Sequence, residues 1–475
     1  MVCAEELRDV GKDEGKIHRG AEAIEQMKYY WIETYGCQMN VAEAEALELE
    51  LLQSGWKKAP SEEAADAVIL HTCSVRQTAE DRIWGRIGYY RHVKQNRKFT
   101  LLVMGCMAER LKEEIIRSSP EVDLVVGNFA KHSIVDELNA LDTLNTDLSK
   151  EHKLLMEENG EFRFSPAHAK EGSFHSYIPI MHGCSNYCTY CIVPYVRGRE
   201  ISRSPSEIMG EIEHAEEVGV REVTLLGQNV NSYAFEENGS RRDFPQLLSL
   251  ILGTLDRIEW LRFVTSHPKD VSPRLIALIA EEEKLCRHFH LPVQHGSDKI
   301  LKSMNRRYSR RDYLTLVKEL REQVPDISLT TDILVGFPGE KQEDFEALLS
   351  LMKEARFDDA FMYYFNPREG TPAAQFEHQV PRELKLERLS EVIALQRSIS
   401  LENRQKRIGS LERVMVDSVS KKNDKEMRGH TEKDEPVVFP GEKGLIGSLV
   451  PVKLEGLAGT TFKGTLAGAA TEGIK

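Results

Sequence analysis

Residues 182–200, HGCSNYCTYCIVPYVRGRE, place Cys184, Cys188 and Cys191 at intervals of four and three, with no cysteine or histidine after them in the run. SYIPIMHG, a strand candidate, leads straight into it, so the three thiols fall in the loop at a strand's carboxyl end. Three cysteines so spaced can wrap three corners of a cubane iron–sulfur cluster and leave one iron open to substrate. The alternatives are a structural zinc, which wants four ligands and has His182 as its nearby candidate for the fourth, and a disulfide.

Downstream, EVTLLGQN, WLRFVTS, RHFHLPVQ, SLTTDILVGFPGE and DDAFMYYFN are further strand candidates, separated by helical stretches such as PSEIMGEIEHAEEVG and QEDFEALLSLMKEAR. Six βα units are too few to close an eight-fold barrel. They predict an open partial (β/α)6 barrel whose active site faces the carboxyl ends of the strands.

Upstream, KYYWIETY (28–35), DAVILHTC (strand over 66–70) and FTLLVMGC (99–106) run out in turn at Cys37, Cys73 and Cys106. The separations suit one βαβ unit each, and such units are parallel and right-handed, so the three thiols should converge on one edge of an open α/β sheet, where such sheets bind ligands. VDLVVGN (122–128) reads as another strand. Asn40 with Glu43 predicts a capping box for a helix that carries Leu47, Leu51 and Leu52 at helical spacing and stops at Gly55. Further helices are expected from about Val75 and over AERLKEEIIRS.

The expected organisation of this α/β chain is therefore a disordered extension (1–27), an open parallel α/β domain (28–145), a polar linker (146–173), the partial barrel (174–408) and a C-terminal domain (409–475). In the last of these, RVMVDSV, VVFP, SLVPVKLEGLAG and TFKGTLAG predict a small antiparallel β-barrel. With 475 residues and 41% hydrophobic content the chain can bury several cores, and a net charge of −13 confines any nucleic-acid contact to local basic patches. No apolar run approaches the roughly 20 residues of a membrane span. The N-terminus lacks a secretory apolar core, which predicts a cytoplasmic protein with no membrane partner. Eight cysteines are too few and too unevenly placed for a disulfide framework, and Cys3 and Cys286 read as unliganded thiols.

CSNYCTYC is the CxxxCxxC signature of radical S-adenosylmethionine (SAM) enzymes. Together with YGCQMN, TCSVRQTAE, GCMAER, LLGQNVNSY, TSHPKD, LPVQHGS and DILVGFPGE, it makes the chain from residue 28 onward resemble the methylthiotransferases, of the MiaB type that modifies isopentenylated adenosine next to the tRNA anticodon. The resemblance implies two 4Fe-4S clusters, one on Cys184, Cys188 and Cys191 and one on Cys37, Cys73 and Cys106, and S-adenosylmethionine as methyl donor and as source of a 5′-deoxyadenosyl radical. It further implies that Tyr190 lies beside the adenine of that cofactor and that Gly227, Gln228, Asn229, Gly336, Pro338 and Gly339 help hold it.

The C-terminal segment resembles an RNA-contacting TRAM domain, which makes Arg413, Lys421, Lys422 and Arg428 candidate tRNA contacts, with Lys425 and Lys463 beside them. Arg306, Arg307, Arg310 and Arg311 form a second candidate patch, or simply a helix surface paired with carboxylates. His71 stands where similar sequences usually carry Asn, and reads as a strand-end spacer. The partner implied is tRNA, while the electron donor and sulfur source stay open. Two other readings remain: a sibling methylthiotransferase acting on threonylcarbamoyl-adenosine or on a ribosomal-protein aspartate, and a non-catalytic iron–sulfur RNA-binding protein.

Overall fold

The structure is a computed structural model describing residues 27–74, 77–143, 153–156, 162–166, 169–237 and 239–468, so almost all of the expected N-terminal extension lies outside the described residues. The first segment is a six-stranded sheet of β1 (Tyr29–Thr34), β2 (Lys57–Lys58), β3 (Ala67–Thr72), β4 (Thr100–Gly105), β5 (Leu124–Val126) and β6 (Lys153–Leu155). Its order is β2-β1-β3-β4-β5-β6, with every pair parallel. Helices α1 (Gln38–Gln53), α2 (Gln77–Lys94), α3 (Cys106–Ser118) and α4 (Ile134–Thr143) cover it on two sides. Val68, Leu70, Leu101 and Val103 pack with Ile83 and Ile87 of α2 and Ile115 of α3. Their neighbours Ala67, Ile69, Leu102 and Met104 pack with Leu47 and Leu51 of α1 and Ile134 of α4. A parallel strand covered on both faces needs a continuous apolar run, which is why β3 is buried at all six positions.

Two local expectations are corrected. Helix α1 begins at Gln38 with Cys37 as its N-cap residue, which makes no side-chain cap, so Asn40 and Glu43 form no capping box. Both are taken by buried partners instead, Asn40 by the Thr72 carbonyl and Arg197, and Glu43 by Arg197. Leu52 is 46% exposed, because the buried stripe of α1 passes through Leu47 and Leu51. The polar stretch read as linker supplies β6, whose three residues are too short to carry a periodic signal.

The central segment continues with β7 (His175–Pro179), the short β8 (Met181–His182) and β9 (Ile201–Ser202), β10 (Glu222–Leu226), the hairpin β11 (Ala234–Glu237) and β12 (Ser240–Asp243), then β13 (Trp260–Val264), β14 (His288–His290), β15 (Ser328–Val335) and β16 (Asp359–Tyr364). Six of these strands form the partial barrel as two parallel three-stranded sheets, β13-β10-β7 and β14-β15-β16. Helices including α5 (Val193–Val196), α6 (Pro205–Glu217), α7 (Phe244–Leu252), α8 (Pro273–Glu281), α9 (Asp298–Ser303), α10 (Arg310–Gln323), α11 (Gln342–Ala355) and α12 (Arg382–Gln405) connect and wrap them.

At the C-terminus β17 (Leu411–Val419), β18 (Glu426–Thr431), β19 (Pro436–Pro440), β20 (Leu449–Ala458) and β21 (Thr461–Leu466) close a barrel in the order β17-β18-β19-β21-β20. One pair departs from the antiparallel expectation: β21 folds back on β20 and so runs parallel to β19. Strand β18 escapes a sequence reading because one of its inward positions is Gly429, which weakens the apolar alternation.

Candidate metal centre

Register brings the first cysteine set together. Thr34 pairs with His71 and Thr72 with Gly105, so β1, β3 and β4 end level and deliver Cys37, Cys73 and Cys106 to one edge. The approach is close: a Cβ on Gly36, whose φ is +142°, would fall 2.6 Å from the Cβ of Cys73. Asn40 ties the loops, with its Nδ2 donating to the carbonyls of Tyr35 (3.2 Å) and Thr72 (2.9 Å). Cys37 donates to Asn40 Oδ1 at 3.5 Å. Asn128 donates through Nδ2 to Cys106 Sγ at 3.7 Å. Cys37 stands just before α1 and Cys106 opens α3, so two of the cysteines sit at helix N-termini, where the dipole favours an anionic ligand. A hydrogen bond with the neighbouring Cys73, with help from Arg197, lowers the Cys37 thiol to about 6.

The second set lies after β7 and β8. Asn186 Nδ2 donates to Cys184 Sγ at 3.5 Å, and Arg306 Nη1 donates to Cys188 Sγ at 3.5 Å. Burial pushes the Cys184 thiol up to about 11 and, with Cys188 nearby, that of Cys191 up to about 12. The two sets meet: Cys106 packs against Ile192 and Val196, in the residues that directly follow Cys191.

None of the seven described cysteines forms a disulfide. Among the described residues no three His, Cys, Asp or Glu side chains gather tightly enough for a single ion. A structural zinc wants four ligands, whereas a cubane takes one cysteine per iron and can be held by three. Donor set and surroundings fit such a cluster, since each trio is all thiol and receives N–H donors of the kind that tune cluster sulfurs. Cys286 is buried with Trp260 and Met415, remote from both trios in the packing.

Around the barrel mouth, Gly227, Gln228 and Asn229 follow β10. Gln228 Oε1 and Asn229 Oδ1 are buried without a partner, and Asn229 Nδ2 donates to Asp270 at 2.9 Å. Such orphaned acceptors suit a polar cofactor at this end of the strand. Gly336, Pro338 and Gly339 form the turn after β15. Tyr190 packs beside Met304, Phe337 and Phe365, compatible with a packing aromatic as well as with a cofactor wall.

The other candidates scatter. Arg306 is buried on Cys188 and on the carbonyl of Pro292, and so leaves the proposed basic patch, while Arg310 pairs with Glu354. Arg413 pairs with Glu259 across the domain junction, and Lys463 with Glu426. Lys421, Lys422 and Arg428 are exposed on the C-terminal barrel.

Sequence reasoning missed the ionic groups that join the sets. Arg197 Nη1 donates to Glu43 Oε1 at 2.6 Å and Nη2 to Oε2 at 3.1 Å. Nη2 also reaches Asn40 Oδ1 at 3.5 Å, and Nη1 lies 3.3 Å from His182 Nδ1. Lys131 and His71 reach the same carboxylate, at 2.6 and 3.2 Å. Burial alone would raise Glu43, but Arg197 and Lys131 hold its carboxyl well below the usual range, while burial lowers His71 to about 4. Phe162 stacks on His182 at 3.4 Å. On the Cys73 side, Arg368 of the barrel meets Glu80 at 3.1 Å, and Arg110 holds both of its oxygens at 2.8 Å. Arg197 stands within the quoted motif, as does Asn40 in YGCQMN, but Lys131 carries no sequence signal.

Residues 178–352 match the Radical SAM superfamily, and residues 29–127 match the uncharacterized protein family UPF0004. The chain is 47% identical over 448 residues to a tRNA-2-methylthio-N(6)-dimethylallyladenosine synthase of Treponema pallidum, covering 92% of this chain and 98% of that protein. It is 48% identical, over 92% of this chain and 99% of the relative, to the protein of that name from Treponema denticola. Among solved structures, the radical S-adenosylmethionine methyltransferase TsrM of Kitasatospora setae shares the fold, with a TM-score of 0.56 at 13% identity over 74% of this chain and 77% of that one.

Proposed function

As a member of the tRNA-2-methylthio-N(6)-dimethylallyladenosine synthase family this chain is a radical SAM tRNA methylthiotransferase, and we propose that its two cysteine trios each hold one 4Fe-4S cluster on either side of a shared substrate cavity. The reaction is methylthiolation of carbon 2 of N6-isopentenyladenosine next to the tRNA anticodon. When bound, the clusters and S-adenosylmethionine supply the one-electron chemistry that an aromatic C–H with no acidic proton requires, together with the groups transferred.

The chain's own residues bind and orient. Cys184, Cys188 and Cys191 hold one centre at the barrel mouth, with Asn186 and Arg306 donating to its sulfurs. Cys37, Cys73 and Cys106 hold the other at the sheet edge. Gln228 and Asn229 offer their unpartnered oxygens to the cofactor's polar groups. The exposed Lys421, Lys422 and Arg428 contact tRNA phosphate, and the target base leaves its stack to reach the cavity, as recognition of unpaired RNA allows.

The observation that supports this reading is the packing of Cys106 against Ile192 and Val196, in the residues that follow Cys191. A non-catalytic protein with structural clusters has no need of two incomplete ligand sets. The experiment is anaerobic reconstitution followed by nucleoside mass spectrometry. Cys188→Ala should abolish 5′-deoxyadenosine formation, whereas Cys106→Ala should retain it and lose the methylthio product. Equal loss of 5′-deoxyadenosine in both variants would overturn the division of roles.

A further inference from the structure

The junction between the N-terminal sheet and the barrel buries charge that does not cancel. Arg197 is 3% exposed and bidentate on Glu43, and Lys131 shares the same carboxylate. His71 and His182 are buried, His71 3.2 Å from the Glu43 carboxylate and His182 3.3 Å from the Arg197 guanidinium. Glu109, the other carboxylate facing Lys131, is half-buried and accepts the backbone N–H of Asn128. Within ion-pair distance, the two cations share one carboxylate, Glu43, a surplus of one positive charge in that cluster. A buried surplus charge is costly unless an anion meets it. The groups it faces are sulfurs: Arg197 touches Asn40 Oδ1, which accepts from Cys37, and Asn128 links Val196 to Cys106.

We propose that Arg197, supplied by the radical SAM segment, is a positioning residue for the sheet-edge centre. With Lys131 and Glu43 it sets that centre's reduction potential, and through its fork on Glu43 and Asn40 it fixes the register of the two trios. The inference rests on the reading that Cys37, Cys73 and Cys106 hold a cluster. Removing Glu43's charge makes the surroundings more positive and favours the added electron. Removing Arg197's charge does the reverse. Removing both restores the original surplus.

The test is a redox titration of the reconstituted full chain in which Cys184, Cys188 and Cys191 are replaced by Ala, leaving the sheet-edge centre alone. Arg197→Gln is expected to shift the midpoint potential negative, Glu43→Gln to shift it positive, and the double variant to return it to the parent value. In the otherwise unmodified enzyme, Arg197→Lys keeps the charge and loses the fork, so the potential should stay while the ratio of 5′-deoxyadenosine to methylthio product rises. Should Arg197→Gln alone fail to fold, Glu43→Gln and the double variant make the same comparison. Potentials that stay put, or that move in one direction for both single variants, overturn the proposal. A parent protein that binds no iron overturns the cluster reading and this inference with it.

Discussion

Among the described residues, buried ion pairs join the barrel to the domains on either side of it, and two of these clusters are built to different rules. Where the N-terminal sheet docks, Arg197 and Lys131 crowd one carboxylate beside three thiols. Where the C-terminal barrel docks, His430 lies 2.7 Å from Glu222 and 2.9 Å from Asp417, and Arg262 pairs with Glu222, so two cations meet two anions. Trp260, Cys286 and Met415 pack behind this second junction. A network that cancels itself can serve docking alone. One that leaves charge over, next to sulfurs, suits the anionic centre proposed for Cys37, Cys73 and Cys106.

The largest expected difference comes from removing the shared carboxylates. Glu43→Ala and Glu222→Ala each strand buried cations and should cost about 3–5 kcal/mol in anaerobic denaturation of the iron-free protein. Reconstitution with iron and sulfide should recover part of that loss for Glu43→Ala and none for Glu222→Ala. Equal recovery at both junctions would erase the distinction.

A smaller effect is set by pH at the C-terminal junction. Burial opposes the charge on His430, but Asp417 and Glu222 together raise it to about 9. A raised imidazole contributes its stability fully below its ordinary value near 6.5 and loses it as pH rises through about 9. The difference between the parent and His430→Gln should therefore be up to about 3 kcal/mol near pH 6 and vanish above about pH 10. A difference that grows with pH would refute the pairing.

Smallest is Arg413→Ala. Its ion pair with Glu259 is half exposed, so denaturation should register less than about 1 kcal/mol. A larger loss would mean that the rim of this junction, not its core, holds the barrel.

Much of this architecture could be read from the chain. The strands that end at Cys37, Cys73 and Cys106 announce themselves because a parallel strand buried on both faces must be apolar throughout, and the CxxxCxxC spacing is legible because its ligands are local. Harder to see were β6, too short to show a period, and β18, whose inward Gly429 breaks the alternation. Asn40 and Glu43 mimic a capping box because capping residues and buried polar residues are the same residue types. Only the partner across the junction reveals which role they play.

Residue order by itself determined the two cysteine trios, the parallel sheet, the partial barrel and the family, since each rests on spacing within one segment. Tertiary structure alone decided that Arg197 serves the other domain's carboxylate, that Arg306 belongs to Cys188 and not to a surface patch, and that Lys131 completes the ionic cluster. The physical reason is range. Periodicity and ligand spacing act over a few residues, whereas a buried charge is satisfied by whatever the fold brings within 3 Å, here a partner 154 positions away in the chain.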